Sequence, residues 1–236
     1  MESKKYIEVD MIDTIIERPI GFNIDNLYFY IYPPTLGKTY LLTMLFKELD
    51  VDSNIISTNP YLEALRLCQM KKDIVCRILA YYTFNCRSDI FDNIKVNARA
   101  ELFGRKLNIE ELSTLFVIVL SNDNSELYIQ HLGIDKERKE RKRVAEIREN
   151  NRSITFGGNS VYGTLIDCAC QRYGWTMDYV VWGISYANLK MLMADIITTI
   201  YLNSDELKKL NIFDNKENIN ADDPRNEELI DKVLSD

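Results

Sequence analysis

Hydrophobic and polar positions alternate along residues 20–32 and recur at helical spacing through most of the remaining chain. Ile20, Phe22 and Ile24 alternate with Gly21 and Asn23. Leu27, Phe29 and Ile31 alternate with Tyr28, Tyr30 and Tyr32, and Asp25-Asn26 lies between the two runs. A period of two interrupted by a two-residue turn predicts a β-hairpin. Pro33-Pro34 stops the second strand. Thr35 then stands where it can cap a helix with Tyr40, Leu41, Met44, Leu45 and Leu49 on one face.

Asn59 followed by Pro60 predicts a helix start, because the side chain caps and proline suits the first helical position. Leu62, Leu65, Ile74, Ile78 and Leu79 form the apolar side of that stretch, with a break near Lys71-Lys72. A further helix is expected from Ser88 to about Lys106. Asn108 and Glu111 have the spacing of a capping box, leading into the apolar run 115–120. A short helix over 126–132 should stop at Gly133, which tolerates a left-handed backbone.

Residues 161–201 hold three helical signals, three glycine breaks, both tryptophans and five tyrosines. Ser160 can cap a first helix with Leu165, Ile166, Ala169, Cys170 and Tyr173 on one face, ended by Gly174. Thr176 can cap a second that carries Tyr179, Val180 and Trp182 and ends at Gly183. Ser185 opens a third with Leu189, Leu192, Met193, Ile196, Ile197 and Ile200 along one side. Residues 135–150 are almost wholly charged, and 151–159 read as a loop or short extended piece. The predicted fold is mainly α with a small N-terminal β-hairpin (α+β) and a helical C-terminal module. The division drawn is an N-terminal hairpin and helical domain at 1–134, a charged helical connector and loop at 135–159, an aromatic three-helix module at 160–213, and an acidic tail at 214–236. The tail has too few apolar residues to offset the entropy of ordering and is expected to be mobile.

Composition narrows the function classes. The 236-residue chain carries a formal charge of −7, which argues against a surface built throughout to grip nucleic acid. No apolar run approaches the roughly 18 residues of a membrane span, and the N-terminus shows no hydrophobic signal segment, so cytoplasmic synthesis is expected. The five cysteines are odd in number and form no CxxC, and the lone histidine is His131. Cys168 and Cys170 would project about 200° apart on a helix, so they cannot share a metal. Reduced thiols are expected, with no metal and no cofactor.

Gly37-Lys38-Thr39 invites comparison with a phosphate-binding loop, GxxxxGK[ST]. Here Tyr32 occupies the first glycine position and Pro33 and Pro34 remove two backbone amides, so Gly37 reads as a small residue in the first turn of a helix packed on the hairpin. His131 has no serine or cysteine partner in view, and Asp167, Asp178 and Asp195 are read as structural, Asp178 in the first turn of its helix. No nucleophile, base and orienting group can be assembled, and the chain is expected not to be an enzyme. Lys136, Arg138, Lys139, Arg141, Lys142 and Arg143 form a basic cluster, but Asp135, Glu137, Glu140, Glu146 and Glu149 are threaded through it. Pairs such as Glu137 and Arg141 suit a solvated helix; phosphate contact is the competing reading, and no nucleic-acid reader motif accompanies the charge.

Tyr173, Trp175, Tyr179, Trp182 and Tyr186 surround two closely spaced helix breaks and form the candidate partner-binding set. The plain alternative is that the rings fill the core between the three helices, and both readings can hold for different members. The pattern W-x-x-D-Y followed by an apolar helix (Trp175, Asp178, Tyr179, Trp182) resembles the C-terminal segment of bacteriophage and prophage tail assembly chaperones. The hairpin running into Pro34, Leu36 and Gly37 is similar to the opening of such proteins. The resemblance covers about a third of the chain, which departs from the shorter members in its length and its charged connector. It implies a non-enzymatic role in the bacterial host cytoplasm, binding the tape-measure protein and keeping it soluble during tail assembly. The competing classes are a structural component of the tail or virion and a nucleic-acid-binding regulator using the basic cluster. Self-association stays open.

Overall fold

The computed structural model describes residues 2–121, 123–147, 159–202 and 204–210. Among these the chain is mostly helical, with one antiparallel hairpin near its N-terminus. Residues 151–158 of the loop expected at 151–159 and the tail at 214–236 lie outside the described residues.

The first element, α1 (Glu2–Ile15), was not expected, because Glu8, Asp10 and Asp13 interrupt its apolar positions and leave no simple stripe. The hairpin forms as predicted: β1 (Ile20–Ile24) pairs with β2 (Leu27–Ile31), with Ile20 opposite Ile31 and Ile24 opposite Leu27. Asp25 supplies the left-handed backbone (φ 51°) that so short a connection needs. Ile24, Phe29 and Ile31 are buried, and Phe22 stacks on Phe29 at 5.6 Å with Phe103 closing the cluster. The Arg99 guanidinium lies 4.0 Å from the Phe84 ring centre and 5.2 Å from that of Phe29, covering the hairpin's inner edge.

In α2 (Leu36–Leu49) the Thr35 hydroxyl accepts the Lys38 amide, as expected of a cap. Of the expected face Leu49 is buried and Tyr40, Leu41 and Leu45 are partly buried, but the buried set extends beyond it. Leu36, Gly37, Lys38, Leu42 and Leu49 are buried, whereas Met44 is 70% exposed. The cause is a helix shared between two clusters: Leu36 belongs to the C-terminal helices, while Leu42 and Leu49 join the main core. A single-face reading cannot represent that arrangement.

After α3 (Ser53–Thr58), Asn59 caps α4 (Pro60–Met70) by accepting the amides of Tyr61 and Leu62 at 3.0 and 3.3 Å. The break falls at Lys71, whose ammonium donates to the terminal carbonyls of α2 at Glu48 and Leu49. Then α5 (Lys72–Tyr82) runs through the core, burying Val75, Cys76, Ile78, Leu79, Ala80, Tyr81 and Tyr82. The single helix expected over 88–106 is instead two, α6 (Arg87–Ile90) and α7 (Asn93–Lys106). Asp92 divides them, because its carboxylate accepts the amides of Ile94 and Lys95 and so starts a new helix. The capping box of α8 (Ile109–Leu120) is present in both directions, at 2.9 and 3.0 Å. α9 (Ser125–His131) gives way to Gly133 at φ 76°.

The charged segment forms α10 (Ile134–Ile147). Ser160, Thr176 and Ser185 cap α11 (Val161–Tyr173), α12 (Met177–Trp182) and α13 (Tyr186–Ala194) as their sequences suggest. α13 stops at Ala194 rather than continuing to residue 200. The run Ile196-Ile197-Thr198-Thr199-Ile200 is β-branched throughout and so a poor helix former, and Ile197 is 84% exposed. The last described helix is α14 (Ser204–Lys209).

The chain divides into two compact units, residues 1–134 with 158–196, and residues 135–157 with 197–236. The three aromatic helices share the first unit with the hairpin and α1–α9, with α12 packed on α2. In the second unit Glu137 and Arg141 form the expected i,i+4 pair, and Arg143 contacts Glu140 and the Leu210 carbonyl.

Candidate protein-docking surface

Two segments far apart in sequence meet at one junction. Thr35 and Ser185, each the cap of its own helix, form an antiparallel bridge, and the Tyr186 amide donates to the Pro34 carbonyl at 2.8 Å. Leu36 is buried among Ala169, Val180, Ile184 and Leu189, and Gly37 lies against the Trp182 indole. Pro34, Leu36 and Gly37 are thus packed on the aromatic helices. Glu17, at φ 54° just beyond α1, accepts the Ser185 amide at 2.7 Å and the Asn188 side-chain amide at 3.0 Å, fixing α1 to the same junction.

The five candidate aromatics do not form one surface. Tyr173, Trp175 and Tyr179 are a continuous trio: Tyr173 stacks on Trp175 at 4.6 Å, and Tyr179 meets Trp175 edge-on at 5.1 Å. Tyr173 and Trp175 are half-buried, and Tyr179 is 44% exposed. Trp182 is elsewhere. It packs on the main core, meets Phe91 at 5.5 Å and lies beneath the Arg87 guanidinium, which Asp178 holds at 2.7 Å. Tyr186 packs on the same C-terminal cluster as Tyr173 and Trp175, with the Lys190 ammonium 5.0 Å from its ring centre. Sequence spacing alone could not set Trp182 apart from the others.

The motif residues have clear local duties. Thr176 starts α12 by accepting the Tyr179 amide at 3.2 Å, and Asp178 pairs with Arg87. Gly183 is required by the trio, since a Cβ there would fall 2.3 Å from Cδ2 of Tyr179. Among the described residues the buried Tyr40 hydroxyl has no hydrogen-bond partner, and burial, then the neighbouring Tyr162 and Tyr186, pushes its pKa up to about 12.

Lys38 is buried (1% exposed), its ammonium donating to the Phe84 carbonyl at 2.9 Å and facing the Tyr82 ring, so it offers no charge to a phosphate. Burial lowers its pKa to about 8. All five cysteines are free, and burial raises the Cys76 thiol to about 11 and Cys68 in the same direction. Asp167 accepts the Gln171 side chain, and Asp195 closes α13. Within the basic cluster Arg141 and Arg143 are paired, while Lys136, Arg138, Lys139 and Lys142 are exposed. Among the described residues no group of three or more His, Cys, Asp or Glu is placed to hold a metal ion, and no helix is long and apolar enough to cross a membrane.

Sequence reasoning missed an apolar groove of about 410 Å³ beside the trio. Met11 and Ile15 of α1 form one wall, Met191 and Leu192 of α13 the other, and Leu132 and Tyr173 close its ends. The Tyr173 hydroxyl donates to the Leu192 carbonyl at 3.2 Å, joining trio to groove. Had α1 been recognised, its exposed apolar residues Val9, Ile12 and Ile15 would have been the signal. The chain matches no family model, no curated protein and no solved structure.

Proposed function

We propose that this chain acts without catalysis, as an assembly factor of the tail-assembly-chaperone kind that docks a long helical partner, the tape-measure protein, through its aromatic face. The observation that carries the reading is the trio Tyr173–Trp175–Tyr179, a connected aromatic surface that is neither sealed in the core nor scattered. Half-exposed tryptophan and tyrosine contribute large contact area at low entropic cost, which suits a docking site. The Pro34-Leu36-Gly37 segment braces the helices that bear the trio, so the residues that carry the resemblance form one packed arrangement. A tape measure exposes long apolar stripes before the tube encloses it, and an acidic carrier with an aromatic face would keep it dispersed.

Co-expression with a tape-measure protein tests the reading. The wild-type chain should keep that protein soluble and co-purify with it, and W175A/Y179A should fail at both while keeping its helical circular-dichroism spectrum. A double variant that protects the partner as well as wild type would refute the reading. Mass spectrometry of purified particles separates a chaperone, absent from them, from a structural component, which stays.

A further inference from the structure

We propose that the groove between α1 and α13 receives an amphipathic helix of the partner, one whose apolar stripe is flanked by lysine or arginine. The inference rests on the docking reading above and adds the place and the chemistry. The groove's walls are two helices whose backbone groups are hydrogen-bonded within their own helices, so an extended segment finds no open edge to pair with. Methionine on both walls, Met11 and Met191, allows the lining to adapt to the side chains of an entering helix.

Charge decides which helix. Asp195 is the only charged residue lining the groove among the described residues. Glu8, outside the lining, is exposed on α1 one turn from Met11 and two turns from Ile15. An apolar trough with one carboxylate in its lining and a second a helical turn beyond it attracts basic flanks and repels acidic ones. A second copy of the chain offers no such helix among the described residues. The basic α10 has only Val144, Ala145 and Ile147 as apolar residues beyond its first position.

Two synthetic helical peptides of roughly 18 residues test this, sharing one leucine stripe at i, i+3, i+4, i+7 spacing and differing only in lysine or glutamate flanks. Binding to the full chain is followed by tryptophan emission, since Trp175 stacks on the groove-lining Tyr173. The lysine-flanked peptide should bind at least about tenfold tighter at physiological salt. E8K/D195K should reverse the order. E48K/E101K makes the same change in net charge on α2 and α7, neither of which lines the groove, and should leave the order unchanged. L132N, on the exposed lip, should weaken the lysine peptide while the fold is kept. Equal binding of both peptides, no binding of either, or an equal effect of the control pair overturns the proposal. If W175A/Y179A still abolishes partner capture while neither peptide binds, the groove is rejected and the docking reading stands.

Discussion

Gly37 lies directly against the indole of Trp182: a Cβ at residue 37 would come within 2.8 Å of three ring carbons. Glycine is required there by contact, not by backbone conformation, because the residue sits inside the first turn of α2. This contact joins the hairpin's helix to the aromatic helices. G37A should therefore cost about 1–3 kcal/mol, the usual penalty for overpacking a buried site. Trimming the ring with W182L in the same chain should recover part of that loss, a coupling that urea denaturation of the four species measures. An unchanged midpoint for G37A would remove the contact from the account.

Lys38 gives the fold a dependence on alkaline pH. Its ammonium is buried with one carbonyl partner, and its pKa is lowered to about 8 from the ordinary 10.5. Between those values the unfolded chain holds the proton more tightly than the folded one, so the Lys38 contribution to stability rises with pH across that window, by at most about 3 kcal/mol, while the raised pKa values of Cys76 and Tyr40 act in the opposite direction. Below about 8 both states are protonated and the contribution is flat. The stability of wild type relative to K38M should therefore rise in parallel series of urea midpoints from pH 7 to 10.5. A difference that stays constant across that range would remove Lys38 from the account.

Glu63 acts in the opposite direction. Its buried carboxylate receives two hydrogen bonds from Arg66, at 2.6 and 2.8 Å, and one from the Asp52 amide at 2.8 Å. The Arg66 bond, the largest cause, lowers its pKa despite burial. Stability from this group is therefore complete above the ordinary carboxylate range and lost as pH falls through the folded pKa. R66M leaves the carboxylate buried and without its charge partner and should cost about 3 kcal/mol. E63Q should cost less at neutral pH and flatten the acid limb of the stability profile. Acid limbs that coincide for wild type and E63Q would contradict the assignment.

Gly183 positions the trio. With its Cβ 2.3 Å from the Tyr179 ring, G183A forces that ring off Trp175 while leaving the α12 cap intact. Partner affinity should fall about tenfold, with a small change in the thermal midpoint and a shifted tryptophan emission. Full affinity in G183A would show that the Trp175–Tyr179 contact is dispensable for docking.

The elements were readable wherever their signals act within a turn or two. Thr35, Asn59, Asn108 with Glu111, Ser160, Thr176 and Ser185 each cap the helix that follows, and Gly133 and Gly174 take the left-handed backbone at the ends of theirs. A side-chain oxygen needs only a backbone amide two or three residues away, so no distant contact can overrule it. The sites where local reading failed show the other side. Asp92 was competing with a longer helical pattern, and the β-branched run after Ala194 was credited with a helical face although its side chains disfavour a helix.

What the sequence by itself determined is the helix-and-hairpin content, most helix boundaries and the set of aromatic residues near the C-terminal end. Tertiary structure alone decided that Trp182 packs against the main core while Tyr173 and Trp175 pack against the C-terminal cluster, with Tyr179 exposed beside them. It also decided that α1 folds against α13 to make a groove. Helical periodicity records how many faces can be buried but not against which neighbour, and that choice depends on shape between segments far apart in the chain, such as a glycine that lets an indole approach its backbone.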